Sequence, residues 1–268
     1  MSFLQRWLVF AAAAWLAAAG LLSAAEEPNL TPEQMTEFLL TAKVINSKQL
    51  GTGKTHPWRL TLSDGTLTHD AAFQAVDIQK NVMGFVGGRS EVNFRDTYHF
   101  NLAAYELAKL LGLDNMMPVT VERSWNRQRG ALSWWIPKKW DFTDYPKPVP
   151  DVDAWNKQMY KILVFAELVY DTDPNMGNRL ITEDWKIWMI DFTRAFRLDR
   201  NLLEPKNLMR CDRQLWEKLR QLDADEILAS TKPHLGKSEV QALMARRDKI
   251  VKVFQQLIAE RGEKAVLY

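Results

Sequence analysis

Residues that can hold a cation and orient a hydroxyl are concentrated in one short stretch, Asp-Thr-Asp-Pro-Asn-Met-Gly-Asn at positions 171–178. Within it, Asp173 precedes Asn178 by 178 − 173 = 5 positions. A further acidic residue, Asp191, follows the apolar run Ile-Trp-Met-Ile and lies 191 − 178 = 13 positions beyond Asn178. Carboxylate and amide oxygens suit magnesium and manganese, and a carboxylate beside a hydroxyl can take its proton. The spacing therefore predicts a site for a divalent metal and a reacting hydroxyl.

Phosphoryl transfer is the chemistry that uses this combination of groups. It needs an Asp that positions the acceptor, an Asn and a second Asp that hold the metal, and a cradle for the phosphates. The kinase pattern H-R-D-x-x-x-x-N has the same five-residue spacing as Asp173 and Asn178. Asp191 and Phe192 match the first two residues of D-F-G, with Thr193 in place of Gly. The alternative is an ordinary turn, because Asp and Asn in such loops are common turn formers.

The rest of the chain predicts two parts that position these residues. Its 268 residues are 47% hydrophobic and 25% charged, which is an ordinary globular composition. Strand patterns dominate residues 26–140, helical patterns dominate residues 154–268, and a proline-rich connector occupies residues 141–153. We therefore expect an α+β protein with a strand-rich N-terminal lobe containing one long helix, a helical C-terminal lobe, and a ligand cleft between them.

Individual elements follow from local signals. Thr31 and Pro32 predict the start of a helix, and Asp64-Gly65 predicts a hairpin turn between two strands. Residues 97–114 predict an amphipathic helix that Gly112 ends. Residues 78–96 contain glycines without clear alternation and are interpreted as irregular. Further strands are predicted at 118–125 and 130–136, a short buried strand before Asp191, and helices at 211–222, 224–231 and 237–262.

The N-terminus and the overall charge indicate where the protein acts. Residues 1–25 are apolar and end in small residues, which is typical of a cleaved secretory signal peptide. A membrane anchor is the rival interpretation, since residues 7–25 carry no charge. We expect a periplasmic or secreted protein of a bacterial envelope, with no stable anchor after cleavage. A net charge of +2 argues against nucleic acid as a partner, and the lone Cys211 cannot form an internal disulfide.

With these motifs the sequence resembles atypical protein-kinase-like folds. The stretch Asp-Pro-Asn-Met-Gly-Asn resembles the D-R-H-x-x-N loop of phosphatidylinositol kinases and HipA-type bacterial toxin kinases. Residues 189–196, Met-Ile-Asp-Phe-Thr-Arg-Ala-Phe, are similar to D-N-G-R-G-F of secretory-pathway kinases related to the Golgi casein kinase. Residues 102–121 resemble the I-A-A-F-H-L-D-R-I-L-G-F helix of that family and the strand after it. The resemblance covers about residues 51–197.

This resemblance implies a role for each site residue. Asp173 would be the catalytic base, and Asn178 and Asp191 would hold Mg or Mn. The loop that contains Gly51 and Gly53 would cover the phosphates of ATP or another nucleotide.

Two departures from the family pattern affect the phosphate grip. The family strand reads A-L-F-K, whose Lys grips the phosphates, whereas this chain has Gln74 at the Lys position. The Glu that pairs with this Lys is replaced by Asn101. Losing one end of an ion pair leaves a buried charge, but losing both leaves two amides that can hydrogen-bond to each other. A substitute cation would come from Lys80, Lys54 or Arg89, and Trp134 or Trp135 near the hinge could stack on a flat ligand.

Three functions are therefore open. The first is an exported kinase-like phosphotransferase whose acceptor is a hydroxyl of a protein, sugar or lipid. The second is a catalytically impaired pseudokinase that binds a nucleotide or phospho-ligand in the envelope. The third is a structural envelope protein with a coincidental acidic loop.

Overall fold

The computed structural model describes residues 30–51, 56–84, 87–88, 90–173 and 175–268. Residues 31–268 form one compact unit. The predicted signal peptide, residues 1–25, lies outside the described residues. None of the helices in the described part of the chain is long and apolar enough to span a membrane.

The N-terminal part is built on an antiparallel sheet and one long helix. Its elements are α1 (Pro32–Thr41), β1 (Lys43–Gln49), β2 (Trp58–Ser63), β3 (Thr68–Gln74), β4 (Asp77–Gly84), β5 (Ser90–Thr97), α2 (His99–Leu111), β6 (Thr120–Trp125) and β7 (Gln128–Trp134). Five strands form one sheet in the order β1-β2-β3-β7-β6, while β4 and β5 pair with each other in a separate two-stranded sheet. Strand β1 was not predicted, because six of its seven residues are exposed and no apolar alternation marks it.

The predicted hairpin and helices in this part are confirmed. Leu60 and Leu62 of β2 are fully buried, and Gly65 has φ of +95° in the turn that leads to β3. Helix α1 begins at the Thr31 cap, where the side chains of Thr31 and Gln34 bond reciprocally to backbone N–H groups. Helix α2 ends at Gly112 with φ of +68°, a conformation that glycine adopts without a Cβ penalty.

The interpretation of residues 78–96 as irregular was wrong. Residues 78–84 and 90–96 belong to the β4–β5 ribbon, whose register runs from Asp77 opposite Thr97 to Gly84 opposite Ser90. Most of its side chains are exposed, including the cross-strand pair Val82 and Val92. Because neither face is buried along most of the ribbon, the sequence lacks the apolar alternation that marks a half-buried strand.

The C-terminal part is mainly helical. Its elements are β8 (Trp140–Asp141), α3 (Val152–Val169), β9 (Arg179–Ile181), β10 (Ile187–Met189), α4 (Arg213–Gln221), α5 (Ala224–Thr231), α6 (Lys237–Arg261) and α7 (Glu263–Val266). Aspartates cap α3, α4 and α5, and β8, β9 and β10 form a small sheet. The predicted helices and the buried strand before Asp191 are confirmed, as is the α+β class. Cys211 is buried, and burial raises the pKa of its thiol to about 12.

A buried arginine ties the long helices to the segment that follows Asp191. Arg246 of α6 is fully buried and donates hydrogen bonds to the carbonyls of Leu168 at 2.8 Å and Arg197 at 2.9 Å, and to that of Asp199. These carbonyls belong to the end of α3 and to residues 197–199. The segment from the end of α3 to residue 197, which contains Asp173, Asn178 and Asp191, therefore has both of its ends hydrogen-bonded to Arg246.

Candidate functional site

A cleft of about 1430 Å³ lies between the sheet and the helical part. Its walls include five residues that the sequence predicted for the site: Gln74, Asn101, Asp173, Asn178 and Asp191. Gln74 comes from the end of β3, Asn101 from the first turn of α2, and the other three from the loops around β9 and β10. The fold thus brings together residues that are up to 191 − 74 = 117 positions apart.

The acidic loop is shaped by its own side chains. Asp171 accepts a hydrogen bond from the N–H of Asp173 at 3.1 Å, Asp173 accepts one from that of Asn175 at 3.0 Å, and Asn175 accepts one from that of Gly177 at 3.0 Å. These are Asx turns, in which a side chain bonds to backbone two residues on. The turn interpretation thus holds for Asp171 and Asn175, while Asp173 keeps its other oxygen for the cleft.

That second oxygen of Asp173 meets the predicted metal ligand. Asn178 Nδ2 donates to Asp173 Oδ2 and to the backbone carbonyl of Asp191, each at 3.3 Å. The N–H of Ile190 in turn donates to the carbonyl of Asn178 at 3.0 Å. With Nδ2 used in this way, Asn178 Oδ1 accepts no hydrogen bond from the described residues and is the atom left for a cation.

Asp191 lies where β10 ends, in a left-handed backbone conformation with φ of +59°. A non-glycine residue in this region carries strain, and such residues are concentrated at functional sites. The Thr193 hydroxyl donates to Asp191 Oδ1 at 3.1 Å, and the Thr193 carbonyl accepts from the N–H of Thr97 at 3.0 Å. The threonine in the glycine position of the kinase pattern therefore has a structural role that the sequence did not reveal.

The two amides that replace the family ion pair are bonded to each other, as predicted. Asn101 Nδ2 donates to Gln74 Oε1 at 2.5 Å, and Asn101 Oδ1 accepts from the N–H of Phe192 at 2.6 Å. These bonds form a chain of donors and acceptors that links β3, α2 and the Asp191 segment without any net charge.

Burial and mutual repulsion raise the pKa values of two aspartates at the site. Burial raises the pKa of Asp191, and the charges of Asp173 and Asp96 add to the shift, while the polar side chains of Thr193 and Gln74 oppose it. Burial likewise raises the pKa of Asp171 to about 6, with further contributions from Asp173 and Asp191. A cation would relieve this repulsion.

The donor set fits a divalent metal bound by few protein ligands. Among the described residues, no group of three His, Cys, Asp or Glu side chains is placed to enclose a metal. Asp191 and Asn178 offer two oxygens, and magnesium commonly takes one or two carboxylates and completes its shell with water and phosphate oxygens. The residues present therefore fit a metal that binds together with a phosphorylated ligand.

The other predicted residues lie in different positions. Gly51 is exposed just beyond Leu50, which lines the cleft, while Gly53, Lys54 and Arg89 lie outside the described residues. Lys80 is exposed on β4 and is not among the residues that line the cleft. No observation tests their roles, which remain predictions.

The two tryptophans near the hinge differ in their surroundings. Trp134 is buried, and its ring stacks on His69 with centroids 3.8 Å apart. Trp135 is partly exposed, and the Arg59 guanidinium lies 4.4 Å from its ring centroid. Trp135 is therefore the better placed of the two to contact a flat ligand in the cleft.

Comparisons with known proteins agree with this geometry. No protein-family model and no curated protein matches the sequence. A structure of hydra Fam20 with sugar superposes with a TM-score of 0.65 at 14% identity, covering 88% of this chain and 91% of that one. Two structures of the Golgi casein kinase, one with Mn/ADP bound, give TM-scores of 0.62 at 12% and 13% identity, covering 88% of this chain and 78% of theirs. This chain has an atypical protein-kinase-like fold.

The kinase-like fold confirms the resemblance that the sequence suggested and its division into a strand-rich and a helical lobe. Identities this low show the fold alone.

Proposed function

We propose that this chain is an exported kinase-like phosphotransferase that binds ATP with magnesium or manganese and phosphorylates a hydroxyl of a protein, sugar or lipid. The main support is the position of Gln74, Asn101, Asp173, Asn178 and Asp191 on one cleft of a kinase-like fold. The Golgi casein kinase structure with Mn/ADP bound supports a nucleotide and a divalent metal as ligands.

The proposed reaction transfers one phosphoryl group. The acceptor oxygen bonds to the γ-phosphorus while the bond from that phosphorus to ADP breaks, and the Asp173 carboxylate takes the acceptor proton. Asn178 and Asp191 would hold the metal, which would supply positive charge beside the phosphates. The loop of Gly51 and Gly53 would cover the phosphates, as the family resemblance implies.

A pseudokinase that binds a nucleotide without transfer is the second candidate. The hydrogen bond between Asn101 and Gln74 favours it, because an amide cannot supply the positive charge of the family lysine to the transferring phosphoryl group. The location predicted from residues 1–25 also favours it, since the periplasm is expected to hold little ATP. An active enzyme there needs a supply of ATP or another phosphate donor.

Thermal unfolding with ATP, with Mn²⁺ and with both tests the proposal. We expect both ligands together to stabilise the wild-type protein by about 2.7 kcal/mol at a hundredfold excess over Kd, or roughly 5–11 °C. Asp191→Asn should lose most of this shift because asparagine tolerates the backbone conformation but carries no charge. Asp225→Asn, at an exposed position on α5, should keep it.

The outcomes separate the candidates. If ATP and Mn²⁺ together stabilise the wild type no more than either alone, the chain is not a kinase-like nucleotide binder. If they stabilise it, transfer of labelled γ-phosphate to protein, sugar and lipid acceptors decides between the phosphotransferase and the pseudokinase.

A further inference from the structure

The Asp96 carboxylate is a charged group in the cleft that the proposed roles leave unused. Asp96 is the second-last residue of β5 and lines the cleft with Asp191. Its Oδ1 atom is buried and has no hydrogen-bond partner in the described part of the chain. No hydrogen bond or ion pair joins the Asp96 carboxylate to the described residues. A buried polar atom without a partner is costly, so it calls for an explanation.

Backbone bonding holds Asp96 beside the Asp191 segment. The N–H of Thr97 donates to the carbonyl of Thr193 at 3.0 Å, so the end of β5 is joined directly to the residues that follow Asp191. Asp96 and Asp191 are each within two positions of this bonded pair. Consistently, the charge of Asp96 contributes to the raised pKa of Asp191.

The nearby arginine is already committed elsewhere. Arg197 forms an ion pair with Glu91 at 2.9 Å and donates to the carbonyl of Arg95 at 2.6 Å. Asp96 favours the charged form of Arg197 from a distance, but no direct ion pair between them is formed. Gln74, which stands where the family has lysine, brings no charge. The Asp96 carboxylate therefore lines the cleft without a direct ion pair to any of the described residues.

We propose that Asp96 is an additional ligand of the divalent cation at Asp191, so that the cation is held by both lobes. This inference rests on the proposed function, which supplies the cation. A carboxylate oxygen is a ligand that magnesium and manganese prefer, and the cation would relieve the repulsion between the two aspartates. Held between β5 and the Asp191 segment, it would also place positive charge in the part of the cleft where Gln74 replaces a lysine.

The test is the Mn²⁺ dependence of thermal unfolding at a fixed ATP concentration, compared between wild type and Asp96→Asn. We expect Asp96→Asn to unfold at a higher temperature than wild type without metal, because repulsion with Asp191 is removed. Its response to Mn²⁺ should need about tenfold more metal or more, as loss of a ligating or supporting group commonly costs 10–100-fold in affinity. Asp77→Asn, an exposed aspartate on β4 that also lines the cleft, should behave as wild type.

Two results would overturn the inference. One is a Mn²⁺ response of Asp96→Asn within threefold of wild type. The other is a variant that is less stable than wild type without metal, which would make Asp96 a counter-ion of Arg197. A wild-type protein that shows no Mn²⁺ response rejects the proposed function as well, so the two failures are distinguishable.

Discussion

Replacing Asn101 by alanine should destabilise the protein through the amide chain that it completes. Asn101 is 6% exposed, and its side chain accepts from the N–H of Phe192 and donates to Gln74 Oε1. Truncation to alanine removes both hydrogen bonds, so the N–H of Phe192 and Gln74 Oε1 each lose a partner. Each unsatisfied buried group costs about 1–3 kcal/mol, and alanine recovers roughly 0.7 kcal/mol of helix propensity. The free energy of unfolding should therefore fall by about 1.5–5 kcal/mol.

Chemical and thermal unfolding measure this loss directly. For a unit of this size, about 1.5 kcal/mol lowers the unfolding temperature by roughly 3 °C or more. Asn156→Ala is the matched control, because Asn156 is exposed on α3 and the same substitution there should be neutral or slightly stabilising. If Asn101→Ala unfolds within 1 °C of Asn156→Ala, the amide chain does not hold α2 to the Asp191 segment.

Two further predictions concern charge. The double variant Gln74→Lys with Asn101→Glu should restore an ion pair. A double-mutant cycle of unfolding free energies should then show favourable coupling of about 0.5–3 kcal/mol, and the double variant should bind ATP more tightly than wild type. Additive effects of the two substitutions on the free energy of unfolding would contradict this prediction. His99 and His234 share one hydrogen bond between their Nδ1 atoms at 2.9 Å, and burial, then the charge of His99, lower the pKa of His234. The stability that neutral His234 contributes is present above its unfolded-state pKa of 6.5 and is lost as the pH falls below that value. His234→Gln should therefore flatten the dependence of stability on pH between 7 and 5, whereas the same substitution at the exposed His56 is the matched control.

The part of the site that depends on local spacing was predicted from the sequence. Asp173 and Asn178 share one loop, and the buried strand β10 aims Asp191 at the same cleft, so near neighbours in the chain determine this geometry. The partnership of Gln74 and Asn101 came from the kinase resemblance, since no local pattern joins residues 101 − 74 = 27 positions apart. Their hydrogen bond confirms the pairing, while their role toward a nucleotide stays a prediction.

Asp96 and the ribbon that carries it were not predicted. A strand exposed on both faces lacks the alternation of buried and exposed residues, so residues 78–96 had no strand signal. The sequence therefore gave no indication that Asp96 would line the same cleft as Asp191. Because β4 was not predicted either, Lys80 was considered as a candidate cation for the cleft. The structure places Lys80 on β4, where its side chain is exposed to solvent.

Local sequence signals were sufficient to predict the α+β class, the capped helices, the Asp64-Gly65 hairpin and the acidic loop, because caps, turns and apolar periodicity act over a few residues. Which charges meet in the cleft, in contrast, depends on tertiary packing. The bond between Thr97 and Thr193 and the contacts of Asn101 join segments about ninety positions apart. Such contacts depend on how the sheet, α2 and the loop after β10 pack together, and that packing turns a set of polar residues into an acidic cleft suited to a cation.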